Sequence, residues 1–470
     1  MGKTSDSVAV QQTVVVQGLG FVGAAMAVAV ANAVDARGAP YFDVIGIDLN
    51  NTAGNKRVDS INSGVFPFET VDVSITEGTE DAVKRGNLSA TTDDSVIGKA
   101  DVVLVSVNLD ITSIEGAAPS VNFAPFKGAI HTLGKWIKKN TLVIVETTVP
   151  PGTCINVVKP ILNKHFAERG IAPDSVLVAH SYERVMPGAE YLDSIINFWR
   201  VYSGITQTAA DRCEDFLSRV INVEEYPLTR LQTTYASETA KVLENSYRAV
   251  NIAFMEEWGR FAEEVGFDLF EVIDAIRKRP THSNMRQPGF GVGGYCLTKD
   301  PLFAKLAAKE MFHLDGHEFP FSSQAIKINQ AMPLVTLNKL KKYFNGSISG
   351  KRILLMGISY RQDVGDTRYS PAEKFTVQAL KEGAAVSPHD PFVKYWDEMQ
   401  MCVSKDLPEP DSFDAIVFAV PHHDYRRIDF NHWLSTDGNC LVFDANNVLT
   451  ASQRSTLRGM GHTLLSIGRG

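Results

Sequence analysis

The stretch VVVQGLGFVGAAMAVAVA, Val14–Ala31, decides the fold. Three β-branched residues run into Gly18, Gly20 and Gly23, and a run of small apolar residues follows. The pattern reads as strand, tight turn and helix, with the glycines spaced G-x-G-x-x-G. The first glycine makes the turn. The second lets a pyrophosphate approach the backbone, and the third lets helix and strand pack closely, with phosphates over the helix N-terminus. Alone the motif is weak; the strand before it and the strand ending in IGID after it strengthen it. Gly18, Gly20, Phe21, Val22 and Gly23 are therefore expected to hold a dinucleotide. Asp48 ends the next strand, where an acidic residue binds the adenosine ribose hydroxyls and favours NAD over NADP. From Gly23 to Asp48 is 25 positions, beyond the usual spacing of about 20, and ARGAPYFD reads as an inserted loop. The plainer alternatives are a glycine turn in an unliganded α/β fold and a surface aspartate.

Outward from this stretch the pattern repeats. TVVVQGLG, DVIGIDL, ADVVLVSV, TLVIVETTV, SVLVAHS and FWRVYSG read as strands buried on both faces, alternating with mixed segments. Such alternation gives a doubly wound parallel sheet. From Gln207 to about Arg277 the chain reads as helix, including one stretch of about 30 residues that spans some 45 Å at ~1.5 Å per residue. After about Val335, RILLMGIS, AAVSPHD, FDAIVFAV and CLVFDANNV restore the α/β pattern. The expected fold is α/β: two Rossmann-like doubly wound parallel-sheet domains, 1–206 and 334–470, joined by a central helical segment, 207–333, with one long helix.

Composition bounds the function. At 470 residues, 44% hydrophobic and 21% charged, the chain is long enough to bury cores without disulfide staples. The net charge of −8 comes with no basic run, so no nucleic-acid partner is expected. No stretch reaches the roughly 18 apolar residues of a membrane helix, so no membrane partner is expected. The N-terminus lacks the charged and apolar regions of a signal peptide, and MGKTSD fits myristoylation only loosely because of Asp6. A cytoplasmic protein is expected. The five cysteines are odd in number and widely spaced, with no C-x-x-C pair, so neither a disulfide framework nor a metal site is expected.

Cys296 stands apart in GFGVGGYCLTKDP, Gly289–Pro301. Flanking glycines allow a ligand close to the backbone. A nearby Lys299 would favour the thiolate, and Asp300 would serve as a base toward water. The bland reading is a small buried thiol beside a turn. Lys241 and Asn245 lie at i and i+4 on the long helix, with Arg248 extending that face; an ammonium and an amide so stacked can hold an oxyanion. The bland reading there is a solvated helix face. VETTVPPGT brings Thr147 and Thr148 to a strand's C-terminal edge, where α/β folds bind ligands. SYERVMPG offers Glu183, otherwise a solvated carboxylate on a turn.

Together these residues resemble the nucleotide-sugar 6-dehydrogenases, the family of UDP-glucose, GDP-mannose and UDP-N-acetylhexosamine dehydrogenases. The resemblance runs in order over nearly the whole chain: G-x-G-x-x-G, TTVPPGT, YERVMPG, K-x-x-E-N, GVGGYCLTKD and DTRYSP. It implies two hydride transfers to NAD that turn a sugar C6 alcohol into a carboxylate. Cys296 would hold the aldehyde as a thiohemiacetal, which loses a second hydride to give a thioester for hydrolysis. Lys241 and Asn245 would stabilise oxyanions, Glu183 and Thr148 would position water, and Asp300 would assist hydrolysis. Gly18, Gly20, Phe21, Val22, Gly23, Asp48, Asn108, Thr148 and Lys299 would contact NAD. Glu183, Arg184, Lys241, Asn245, Gly293, Arg361 and Arg368 would meet a nucleotide sugar, and the long helix would pair two copies as a homodimer.

The chain departs from the family in places. SVNLD replaces V-x-T-P, putting Asn108 where a cofactor-contacting threonine is usual. Arg361 replaces a lysine in F-K-x-x-T-x-D, and Tyr182 replaces the first residue of P-E-R-V. YERVMPG, in place of PEFLRE, points to a UDP-N-acetylhexosamine as substrate. UDP-glucose or TDP-glucose by the same mechanism is the nearest alternative. A two-electron hydroxyacid-type dehydrogenase, with Cys296 structural, and a non-catalytic NAD sensor are the alternatives of other classes.

Overall fold

The computed structural model describes residues 11–112, 120–185, 188–435 and 440–470. The N-terminal MGKTSD and residues 186–187 of the SYERVMPG stretch lie outside them. Two compact units form. One runs to Val242 and takes in Phe303–His317; the other comprises Leu243–Leu302 and Glu318–Gly470.

The first unit holds an eight-stranded sheet. Its strands are β1 (Gln12–Gln17), β2 (Phe42–Ile47), β3 (Leu88–Thr91), β4 (Val102–Val105), β5 (Leu142–Val145), β6 (Leu177–His180), β7 (Val201–Gly204) and β8 (Thr229–Arg230), in the order β8-β7-β6-β5-β4-β1-β2-β3. Val14–Val16 and all of β4 and β5 are sealed from solvent, as expected of β-branched runs covered on both faces. The strand order reverses between β1 and β4, which places a crevice at their C-terminal ends. Helix α1 (Phe21–Ala31) leaves β1 there, buried from Gly23 to Ala31; a helix apolar all round belongs inside a core.

β3 and β8 escape the sequence pattern, being short edge strands with polar residues. β7 runs antiparallel to β6, and β8 follows β7. Between β6 and β7 the only described helix is the four-residue Asp193–Ile196, not the crossover helix a parallel return needs. The parallel sheet therefore ends at β6.

The long helix is 32 residues, Thr234–Val265, about 48 Å at 1.5 Å per residue. The second unit's sheet is wholly parallel: β9 (Arg352–Met356), β10 (Ala385–His389), β11 (Ala415–Phe418), β12 (Leu441–Asp444) and β13 (Leu464–Ser466), in the order β10-β9-β11-β12-β13. Ile353 and Leu355 face one core, Leu354 and Met356 the other, which is the two-residue period of a strand packed on both sides. Here the order reverses between β9 and β11, so a second crevice opens past Met356 and Phe418.

Candidate active site

The first crevice is built from glycine. At Gly18, with φ +94°, a Cβ would stand 2.9 Å from the Ser106 carbonyl oxygen after β4, and at Gly23 it would stand 1.8 Å from the Gly18 carbonyl oxygen. At Gly20 it would meet nothing within 4 Å. Two glycines thus serve close packing, and the middle one faces open space. Gly20 is also the N-cap of α1 and supplies no side-chain cap, so the first amides of α1 remain for an anion. These residues fit a dinucleotide pyrophosphate. Phe21 stacks on Phe68 at 4.0 Å, and its carbonyl accepts the Tyr191 hydroxyl at 2.6 Å. Val22 is half-buried and Asn108 exposed. Asp48 is buried and accepts the Leu49 amide at 2.7 Å.

Past β5, Thr147 donates to the Val107 carbonyl at 2.8 Å, which leaves Thr148, with no hydrogen bond among the described residues, as the available hydroxyl. The following VPPGT turn is clamped by Glu238, fully buried on the long helix. Its carboxylate accepts the Gly152 amide at 2.6 Å and the Cys154 amide at 2.8 Å. Burial pushes the Glu238 carboxyl up to about 7, against those hydrogen bonds. Past β6, His180 pairs with Ser237 at 2.8 Å, and burial, with the Lys241 charge, pushes the imidazole down to about 3; it is neutral. Lys241 donates to the Glu183 carbonyl at 2.7 Å, with the Glu183 carboxylate 3.8 Å away. Arg184 turns to the Tyr182 and Phe198 rings, at 5.2 and 5.8 Å.

In the second unit, Asn245 donates to Asp300 at 2.8 Å, and Asp300 is sealed. The Asp300 amide closes a turn on the Cys296 carbonyl at 2.9 Å. The Lys299 ammonium lies 2.8 Å from the other Asp300 oxygen and over the Tyr295 ring, so its charge is directed at the aspartate. Arg248 is a cation that feels Cys296. Burial lowers its pKa first, then the charges of Arg286 and Arg361, while Cys296 pulls the other way. None of these three arginines has a salt bridge among the described residues. That interaction is mutual, so Arg248 favours the thiolate. The glycines of the cysteine loop serve packing: a Cβ at Gly293 would meet Pro371 and Tyr360 at 2.8 Å, and one at Gly294, φ +83°, the Tyr360 ring at 2.8 Å.

Arg361 follows β9 at the second crevice. His422 secures that loop by accepting the Asp363 amide at 2.9 Å, and Asp390 accepts the Ile358 and Ser359 amides at 2.9 and 3.1 Å. Arg368 forms a fork on Asp366, at 2.9 and 2.7 Å. Sequence reasoning missed Glu238, His180 and Arg286. A charged residue on the buried face of a helix, three positions before Lys241, was the available signal for Glu238.

Comparison with known proteins gives the family. The UDP-glucose/GDP-mannose dehydrogenase family matches in three parts: its NAD binding domain over residues 12–219, its central domain over 235–331 and its UDP binding domain over 354–451. A UDP-N-acetyl-D-mannosamine dehydrogenase of Methanocaldococcus jannaschii is 29% identical over 411 residues, 87% of each chain. The UDP-D-ManNAc dehydrogenase structure from Pyrococcus horikoshii superposes with a TM-score of 0.80 at 25% identity, covering 97% of this chain and 99% of that one. An NDP-N-acetyl-D-galactosaminuronic acid dehydrogenase from Methanosarcina mazei gives 0.78 at 26%, covering 97% and 95%. The chain therefore belongs to the UDP-glucose/GDP-mannose dehydrogenase family and is an NAD-dependent nucleotide-sugar dehydrogenase.

Proposed function

We propose that the chain oxidises the C6 alcohol of a UDP-N-acetylhexosamine to the uronic acid, with Cys296 carrying the intermediate. The observation that carries this reading is the gathering of Arg286, Arg361 and Cys296 about Arg248. Like charges brought together at a partly buried place call for an anion, and a diphosphate beside a thiol is what a cysteine-dependent nucleotide-sugar oxidation requires. NAD, when bound, takes up one hydride in each of two rounds. The Cys296 thiolate adds to the aldehyde carbon, forming a C–S bond. The resulting thiohemiacetal becomes a thioester as it loses the second hydride. Water then cleaves the C–S bond, leaving carboxylate and thiol. Lys241 and Asn245 stabilise the oxyanions, Thr148 and Glu183 place the water, and Asp300, held by Asn245 and Lys299, assists its attack. The acetamido sugar is favoured because the relatives at 25–29% identity carry names of N-acetylated sugars. We read 1–206 as serving NAD, 207–333 as carrying the cysteine loop and pairing helix, and 334–470 as serving the nucleotide.

A homodimer belongs to this reading. Leu243, Tyr247, Phe254, Trp258, Phe261 and Val265 are exposed on the long helix. At 3.6 residues per turn they share an arc of about 60°, an apolar stripe suited to a second copy. No disulfide joins the five cysteines, which fits a cytoplasmic protein.

The test is the NADH yield per sugar with UDP-GlcNAc, UDP-ManNAc, UDP-GalNAc, UDP-glucose, TDP-glucose and GDP-mannose. Two NADH from one N-acetylated sugar, and no acid product from Cys296→Ser, are expected. Two from UDP-glucose would replace the substrate; one from every active sugar would overturn the role of Cys296.

A further inference from the structure

Asp48 has more partners than a ribose receptor needs. Its Oδ2 accepts the Leu19 amide at 3.3 Å and the Arg57 Nε–H at 2.7 Å, while Oδ1 accepts the Leu49 amide at 2.7 Å. A carboxylate oxygen offers about two lone-pair sites. Oδ2 is therefore filled, and Oδ1 keeps one site. A ribose diol donates two hydrogen bonds, so Arg57 competes with one hydroxyl for Asp48.

The sequence builds Arg57 into this place. It sits on α2 (Thr52–Asn62), whose N-cap Asn51 accepts the Gly54 amide at 2.8 Å. A Cβ at Gly54 would stand 1.9 Å from the Leu49 carbonyl oxygen, so the missing side chain lets the helix start fold back on the segment after β2. The side chain of Asp48 is 6% exposed and that of Arg57 26%. Arg57 is held by Nε alone among the described residues, and its two amino groups keep their donors. A guanidinium beside the adenosine ribose is the group that takes the 2′-phosphate of NADP, and its planar fork matches phosphate oxygens.

We propose that Arg57 is a latent 2′-phosphate receptor held on Asp48, so that the pair, rather than Asp48 alone, sets the preference for NAD. With Asp48 in place, a 2′-phosphate meets a carboxylate and a guanidinium held to it through Nε. With that charge removed, the same guanidinium turns to the phosphate.

Binding of ADP-ribose and 2′-phospho-ADP-ribose, measured by calorimetry, tests this without turnover. The wild type is expected to favour ADP-ribose. In Asp48→Ser the ratio shifts toward the phosphorylated probe by about 100-fold or more, as two to three lost or gained charge-assisted contacts imply. Asp48→Ser with Arg57→Ala loses that gain. Arg57→Ala alone keeps ADP-ribose binding within about threefold, because Asp48 remains. No gain in Asp48→Ser, a gain that survives in the double variant, or a tenfold or greater loss of ADP-ribose binding in Arg57→Ala would each overturn the proposal. If circular dichroism shows Asp48→Ser unfolded, Asp48→Asn, which keeps an oxygen for the Leu49 amide, is measured in its place, and the Arg57→Ala arm stands by itself.

Discussion

Replacing Glu238 tests how the first unit holds its VPPGT turn. In Glu238→Ala the Gly152 and Cys154 amides lose the oxygens they reach at 2.6 and 2.8 Å. A buried donor left without a partner costs about 1–3 kcal/mol, so two cost roughly 2–5 kcal/mol once some relaxation is allowed. Glu238→Gln keeps one carbonyl oxygen and turns an amide donor on the other N–H, for about 1–3 kcal/mol. The pH dependence separates the two effects. The folded carboxyl titrates at about 7, against 4.5 as the ordinary value. Between those values the folded chain holds the proton more tightly, so the linked stability is complete below 4.5 and lost as pH rises through 7. From pH 8 to pH 5.5 that amounts to about 2 kcal/mol, and Glu238→Gln lacks it. The wild-type advantage over Glu238→Gln should therefore grow on acidification. Urea unfolding at both pH values measures it, with hydrogen exchange over residues 147–158 reporting the turn itself. An alanine variant within 0.5 kcal/mol of wild type, or a pH-independent difference, would refute the clamp.

Three further outcomes follow from the geometry. Gly23→Ala, with its Cβ 1.8 Å from the Gly18 carbonyl oxygen, should separate α1 from β1 and weaken NAD binding at least tenfold; calorimetry reads it. His180, neutral with a folded value of about 3 against 6.5, contributes stability that is present above 6.5 and lost as pH falls toward 3. His180→Asn should thus lose about 2 kcal/mol less than wild type between pH 7 and pH 5, a difference visible in urea midpoints. Trp258→Asp, in the centre of the apolar stripe, should shift the chain toward monomer in sedimentation, and an unchanged mass would remove that face as the contact.

Much of this architecture was legible in the residues. Valine and isoleucine runs bounded by turn residues located β1, β2, β4, β5, β6 and β7, because a strand covered on both faces needs little else. Leu88–Thr91 went unread because its burial alternates over four residues. The reversal of β7 left no trace either: VYSG is buried much like its parallel neighbours, and direction depends on what the chain does between strands. At the site, spacing brought out Lys241, Asn245, Cys296 and Asp300. It did not reveal how they are engaged. Lys299 serves Asp300, Arg368 serves Asp366, and Arg248 attends Cys296, since ion pairing is decided by side-chain direction in three dimensions. The glycines before Cys296 looked like room for a ligand, yet Tyr360 and Pro371 use the space at Gly293.

Phe303–His317 belongs to the first unit although it follows sixty residues of the second. Its Phe312 ring lies 5.4 Å from that of Tyr235, and Met311 and Phe312 close on Gly152. During synthesis, at about 5–20 residues per second, the dinucleotide-binding half must wait several seconds past Val242 for this last piece. A gene cut at that boundary would yield a fragment with its own wall missing, so the two halves cannot be exchanged between relatives by a single crossover.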